Sequence, residues 1–467
     1  MIPFATNSYV SPSRPLSAQR MVNVYSEREP QDAKVPITIF GAPGIKSFAR
    51  CGTGPIRGMH EVGGVLYVVS GATLYSVASD GTATVLGGAV SGTAPVCMTD
   101  NGTQLLILNG TYGYIYTSAS GFQVITNSNF HSSTSGTFFD NYFVMAWDGT
   151  NKFFISGSLD GTSYSGTDFA SAEVAPDNVV AIVNQQENLL IFGQTTIETW
   201  YDAGSVNFPF QRIDGGTIER GCAAALTPIK EDNSVFFLGD DLIFYRLDGT
   251  IPRRVSTHAI ESAWQKYTTV SDAYTFSYTY DGHKFIVLTF IVGNATWVYD
   301  ISTGLWHERE SIDINNNSLG RWRAAKVFNI YDKLLVGDAY SGAIGEFDAS
   351  TYTEFGNQIH GTMVSPIIHS DRKRVFISRF ELDIEQGVGN TVDPGANPQI
   401  MLDWSDDGGR TFKPRQTWQS MGKIGAYQQR LRWLRQGQTR NRIYRVTISD
   451  PVRRNIIAAH ADLSVGM

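Results

Sequence analysis

The feature that most constrains this chain is a repeat of short strands with tight turns between them. Seven similar units begin at Gly58, Pro95, Phe138, Ala181, Leu226, Tyr274 and Ala324. Each reads as a small or polar strand, an apolar strand, a short turn, an aromatic strand and a second turn. Their spacing of roughly 40 to 50 residues is that of a four-stranded propeller blade. Within a unit the side chains alternate with period two: in Leu74-Tyr75-Ser76-Val77, Leu74 and Ser76 face one way, Tyr75 and Val77 the other. Dipeptides that close hairpins recur at Asp80-Gly81, Asn101-Gly102, Asn109-Gly110, Asp148-Gly149, Asp160-Gly161, Asp248-Gly249 and Asp281-Gly282, because Gly adopts positive φ at no steric cost. The pattern predicts an all-β chain with a propeller of about seven blades over residues 51–358. Propellers close by joining the two ends of the chain, so the segment Ile37 to Phe48 is a candidate to complete the last blade.

Both flanks differ from the repeat. Residues 1–50 carry Pro3, Pro12, Pro15, Pro30, Pro36 and Pro43 and read as an extended N-terminal arm entering the propeller. Residues 359–467 read as a β-sandwich, with strands at 375–384, near 400–404, 430–435, 443–449 and 455–463, and a Gly/Pro-rich loop from Gly387 to Pro398. A single helix is expected over Ser256 to Trp264. Ser256 or Thr257 would cap it, and Ile260 and Trp264 would share a face.

Composition excludes several function classes. The net charge is −7, which is wrong for a protein that coats DNA. Cys51, Cys97 and Cys222 are far apart and odd in number, arguing against a disulfide framework or a zinc site. The eight histidines show no metal-ligand spacing, and no nucleophile-elbow, HExxH or P-loop string occurs. Gly52, Gly54 and Gly58 mimic a dinucleotide fingerprint, but the third spacing is one residue too long and no βαβ unit surrounds them. No catalytic residue, metal ligand or cofactor site is expected, and the chain reads as a structural protein rather than an enzyme. The N-terminus shows no basic segment followed by an apolar run, and the longest apolar stretch, around Phe285 to Val292, is short of a membrane span. Synthesis in a reducing cytoplasm and no membrane anchor are therefore expected.

Two local patterns stand out. Ser405-Asp406-Asp407-Gly408-Gly409-Arg410-Thr411-Phe412 fits the Asp-box pattern, in which the Ser and Asp side chains bond hairpin backbone, Gly takes positive φ and the aromatic plugs the sheet. Ser405, Asp407, Gly409 and Phe412 are thus read as a structural hairpin. From Arg410 to Arg454 there are twelve basic residues (Arg410, Lys413, Arg415, Lys423, Arg430, Arg432, Arg435, Arg440, Arg442, Arg445, Arg453 and Arg454) against Asp450 alone. That span carries +11, leaving −18 for the rest. Period two places Arg430, Arg432, Arg440 and Arg442 on one face and Leu431, Trp433 and Ile443 on the other. An outward array of like charge is offset best by an acidic partner surface. Arg430, Arg432, Arg435, Arg440, Arg442 and Arg445 are the candidate partner-binding residues.

The order of several short motifs resembles the packaged-DNA stabilisation proteins, or tail hubs, of short-tailed phages. It is carried by Asn23-Val24-Tyr25, Gly41-Ala42-Pro43-Gly44-Ile45, Ile56-Arg57-Gly58, Thr196-Ile197-Glu198, Arg220-Gly221-Cys222-Ala223, Ile260 with Glu261, and Val298-Tyr299-Asp300. Its strongest part runs from Gly422-Lys423-Ile424-Gly425 through Arg430, Arg432 and Trp433 to Ser449-Asp450-Pro451-Val452. The resemblance implies a structural protein of the virion tail: a homo-hexameric ring below the portal and its adaptor (head-completion) protein. That ring would hold packaged DNA, which passes through it without sequence-specific binding, and would attach a tail needle and tailspikes. The other reading is a phage-tail propeller that binds or cleaves glycan, which requires carboxylates and aromatics at the propeller axis.

Overall fold

A computed structural model describes residues 2, 4–205, 208–313, 317–413 and 417–466. Among them, seven four-stranded antiparallel blades occupy 56–88, 97–124, 136–171, 179–212, 229–254, 274–312 and 324–348. The seventh has only three strands of its own. Its fourth is Gly44–Arg50, which runs antiparallel to Ala343–Asp348 with Ile45 opposite Phe347 and Lys46 opposite Glu346. The first blade begins six residues later, so the end of the ring is tied to its start by one short stretch of chain.

Apolar side chains hold the ring shut by packing between blades rather than within them. Seven separate clusters fill the seven junctions. In the closing one, Ile56, Met59 and Leu66 of the first blade meet Leu335 and Ile344 of the seventh; in another, Trp264, Trp297 and Trp306 fill the junction of the fifth and sixth. The single α-helix among the described residues, His258–Trp264, lies at that junction and buries Ile260 and Trp264, the predicted pair. Thr257 occupies its cap position but its side chain makes no capping bond. Ser256 instead accepts from Phe244 N at 2.9 Å and donates to Glu261 at 2.6 Å.

Turn chemistry explains the hairpins, with one exception among the predicted dipeptides. The Gly φ lies between 63° and 87° at Gly81, Gly102, Gly110, Gly149, Gly249 and Gly282. Asp160-Gly161 closes no hairpin: it lies in the connection between Lys152–Ile155 and Phe169–Ser171, with Gly161 against Ile115 and Phe143, where a Cβ would collide.

The second body is a β-sandwich. One sheet has the order Ala18–Val22, Gly361–Val364, Ile443–Ile448, Gln399–Ser405, Thr417–Ser420; the other has Val24–Arg28, Ile37–Gly41, Ile456–Val465, Val375–Ile384, Leu431–Thr439. Its core joins Met21 and Val24 to Phe380, Trp433, Tyr444 and Ile448. The segment 1–50 is therefore divided. Ala18–Val22, Val24–Arg28 and Ile37–Gly41 belong to the sandwich, and Gly44–Arg50 is the strand that completes a propeller blade. The first sandwich sheet also runs on into the sixth blade through a parallel bridge of Val22 to Glu308. No helix of the described residues is long and apolar enough to cross a membrane.

Candidate functional site

The Asp-box residues form a closed local network. Ser405 Oγ donates to Asp407 Oδ1 at 2.6 Å and accepts from Gly409 N at 2.9 Å. Asp407 accepts from the backbone of Arg410 and Thr411 and from Thr411 Oγ1, and these bonds, led by those to the Ser405 and Thr411 side chains, hold its carboxyl well below the usual range. Gly408 and Gly409 take φ of 78° and 79°, and Phe412 packs beside Ala18, Val364 and Ile443. The Ser405 and Asp407 side chains are turned onto their own hairpin, whereas Asp406 accepts from Thr439 and Arg442 outside it.

The basic strands do not present one arginine face. Arg430 and Arg432 do point outward while Leu431 and Trp433 point in. The alternation then breaks: Arg435 adopts φ of 54° opposite a register shift between Ile377 and Arg379. Arg442 is buried at 2% exposure, lying over the rings of Trp404 and Tyr444 and bonding Asp406 at 2.5 and 3.2 Å. Arg445 pairs with Asp403 and covers Phe412 at 4.0 Å. Arg430 forks onto Glu381 at 2.8 and 2.9 Å, and Arg453 meets Glu385. The charge run is thus partly neutralised by carboxylates that lie outside it in sequence and beside it across the sheets. Arg415 lies outside the described residues. Among the arginines of the run, Arg432, Arg435 and Arg440 remain, exposed and with no side-chain hydrogen bond or ion pair among the described residues; the same holds for Lys413 and Lys423. The three arginines lie on or just beyond Leu431–Thr439, the outermost strand of its sheet, with Arg432 opposite Glu381, Arg435 next to exposed Leu434, and Arg440 at the end where Thr439 pairs with Val375, just after the Arg372-Lys373 turn.

The joint between the two bodies is the densest polar cluster, and sequence reading passed over it. His283 Nδ1 meets Asp300 at 2.7 Å and Nε2 meets Glu27 at 2.5 Å; Asp300 leads, with help from Glu27, in raising the His283 pKa to about 9 against its burial. Arg20 bonds Glu308 and Glu310. Arg309, fully buried, pairs with Glu354, which also accepts from Ser311 and Trp322. Arg323 pairs with Asp338. Asn23 takes φ of 56° and donates to the carbonyls of Glu310 and His360. A signal existed: Leu305–Ile312 reads His-Glu-Arg-Glu inside a strand that needs an apolar face.

The residues that carry the family resemblance are largely staples of this kind. Arg57 donates to the carbonyls of Gly71, Val90, Ser91 and Ala94, Glu198 accepts from Val174 N and Trp200 Nε1, and Arg220 pairs with Asp241.

The propeller axis encloses a cavity of about 370 Å³, lined by the inner strands of the blades and including Arg57, His60, Cys97, Asn184, Lys230 and Lys326. No Asp or Glu is among its lining residues. Among the described residues no cluster of His, Cys, Asp and Glu is suited to hold a metal ion.

Two family models match the chain, in order and almost end to end: "Bacteriophage P22 Gp10, beta-propeller" over residues 17–352 and "Bacteriophage P22 Gp10, beta-sandwich" over residues 361–464. No curated protein matches in a sequence comparison. Among solved structures, the extracellular domain of BT4673 from B. thetaiotaomicron is 10% identical with a TM-score of 0.45, covering 70% of this chain and 46% of that one. PorZ, a surface component of the type-IX secretion system of Porphyromonas gingivalis, is 10% identical with a TM-score of 0.36, covering 67% and 38%. The chain spans less than half the length of either, and these likenesses carry no argument about function.

Proposed function

The chain belongs to the family of bacteriophage P22 Gp10, and from that premise we propose that this phage tail protein closes the head after DNA packaging. In this reading it forms a ring of six beneath the portal's adaptor and carries the needle and tailspikes. The observation that supports it most is the order of the match: both bodies of the family are present, propeller first, and the fold interlocks them through residues 18–50. A rigid, staple-rich body suits a part that must bear load without doing chemistry. The exposed Arg432, Arg435 and Arg440, with Arg372 and Lys373, are the surface we assign to an acidic neighbour, either the adaptor or a second copy of this chain. DNA would pass the assembled ring without base-specific contact.

The glycan reading draws no support from the axis. Glycoside cleavage uses two carboxyl groups facing one bond, and the axial cavity is lined by none. We propose that the protein is not an enzyme, and incubation with host surface polysaccharide should release no reducing ends.

The decisive experiment uses particles assembled without this chain. They should package DNA and then lose it, and added protein should restore retention. A variant with Arg432, Arg435 and Arg440 changed to Ser should fold normally and restore retention poorly at low salt, and the gap to wild type should narrow at high salt, since exposed charges are screened within about 8 to 10 Å. Heads that keep their DNA without the protein would overturn the function, and full retention by the folded variant would overturn the docking surface.

A further inference from the structure

The turns at one end of the first four blades form an acidic face. Over residues 51–211 the only Lys and Arg are Arg57 and Lys152, and both stand at the other end of their strands, Ile56–Val62 and Lys152–Ile155. Asp140 and Glu187 occupy the first hairpin turns of the third and fourth blades, both exposed and without an ion pair among the described residues. Partial burial, with help from Asp202 and Glu187, raises the Asp140 pKa, which marks the three carboxylates as neighbours. Asp202 and Asp160 accept from Gly204 and Thr162 in their own turns and meet no Lys or Arg among the described residues. Leu159 lies between Asp160 and the Asp140 turn, its N–H donating to the Asn141 carbonyl at 2.7 Å and its carbonyl accepting from Asn101 Nδ2 at 3.2 Å. It is 55% exposed, at φ of 56°.

The arginine edge of the sandwich repeats this plan with the sign reversed: Leu434 is 64% exposed between Arg432 and Arg435. An apolar centre with a polar rim is the anatomy of a docking surface. A ring of more than two copies closes through heterologous contacts, so each chain must carry two different surfaces that fit each other. Copies of a chain with net charge −7 repel where acidic surfaces meet, and contact is favoured where an acidic face meets a basic edge. Exposed ion pairs add little affinity but set orientation and reject wrong contacts, while the two leucines remove apolar area from water.

We propose that the acidic face around Leu159 docks the arginine edge around Leu434 of a second copy of this chain. The contact rests on the ring reading above, and it makes the second copy, rather than the adaptor, the acidic neighbour of that edge.

Particles lacking this chain, supplied with an equal mixture of Leu159→Cys and Leu434→Cys chains and then oxidised, test the contact. The mixture should give a disulfide-linked dimer on a non-reducing gel, and either variant alone should give none. No dimer from the mixture, in particles that retain their DNA, overturns the proposal and leaves the tail-hub reading standing. Charge reversal gives a second measurement. Asp140→Arg with Glu187→Arg should lose DNA retention, as should Arg432→Glu with Arg435→Glu, and the four substitutions in one chain should recover it. Loss with the arginine reversal alone assigns the edge to the adaptor and overturns the contact between copies. Should heads keep their DNA without the protein, the tail-hub reading fails by itself. The same cross-link is then read on the purified chain at low salt, where its absence is equally fatal.

Discussion

His283 stands between two carboxylates from different bodies, Asp300 in the propeller and Glu27 in the sandwich. Next to it, burial lowers the pKa of His307 to about 3, so that ring stays neutral. A folded-state pKa raised to about 9 means that the clamp is complete below about pH 6.5 and is lost as pH rises through about 9, contributing about 3 kcal/mol when fully charged. His283→Gln should therefore lower the melting temperature most between pH 6 and 7. The gap to wild type should shrink toward pH 10; a constant gap would show that the proton is not involved. Arg442 and Asp406 give a second residue-level test. Replacing Asp406 by Ala leaves a buried guanidinium unpaired, whereas Arg442→Met keeps the packing on Trp404 and Tyr444 and leaves a half-exposed carboxylate. Asp406→Ala should cost about 3 kcal/mol and Arg442→Met about 1 kcal/mol or less in denaturant unfolding; equal costs would refute the asymmetry. Neither pairing was legible in the sequence. His283 meets a carboxylate 256 residues away, and Arg442 one 36 residues away, and no local period encodes either.

Among the elements, Gly44–Arg50 matters most to closure. Its Ile45 is fully buried between the sixth and seventh blades, and a Cβ on Gly44 would strike the Thr351 carbonyl. Ile45→Ala should destabilise the chain by about 2–5 kcal/mol, read as a fall in the denaturant midpoint. A smaller loss would mean that the seventh blade holds without this strand. Blade number and strand alternation were legible because each follows from local rules: period two, and Gly at positive φ. A second turn class was not. In five blades the first hairpin turns on two successive positive-φ residues, at Gly63-Gly64, Asp140-Asn141, Asp232-Asn233, Asp281-Gly282 and Tyr331-Asp332. Only one of these is an Asp-Gly pair. Asp and Asn tolerate that conformation through their short polar side chains, and Tyr331 shows that ring closure can impose it on a residue that disfavours it. Strand 431–439 failed differently. Its bulge at Arg435 reverses the alternation, and bulges leave no sure mark in sequence.

For the whole molecule, the composition shift near residue 360 suggests two independent bodies, but the strands do not respect it. Residues 18–41 supply three of the ten strands of the two sandwich sheets, and the next strand closes the propeller. A chain cut before residue 359 would leave Gly361–Val364 and Ile456–Val465 without neighbours on one edge, and the core without Met21, Val24 and Ile39. Exposed edges and a breached core favour aggregation. The fragment 359–467 alone should therefore be insoluble or molten, and a peptide spanning 1–42 should rescue it when added in trans. The intact chain should likewise melt in one transition by calorimetry and by tryptophan fluorescence, because unfolding the sandwich pulls Val22 from the sixth blade and strains the strand that closes the seventh. Two well-separated transitions, or a soluble, cooperatively folding 359–467 fragment, would show that the interleaved strands decorate two autonomous domains rather than join them. One cooperative unit also fits the tail role proposed above, since force applied to the sandwich would be resisted by sheet hydrogen bonds continuous with the propeller and not by a flexible linker.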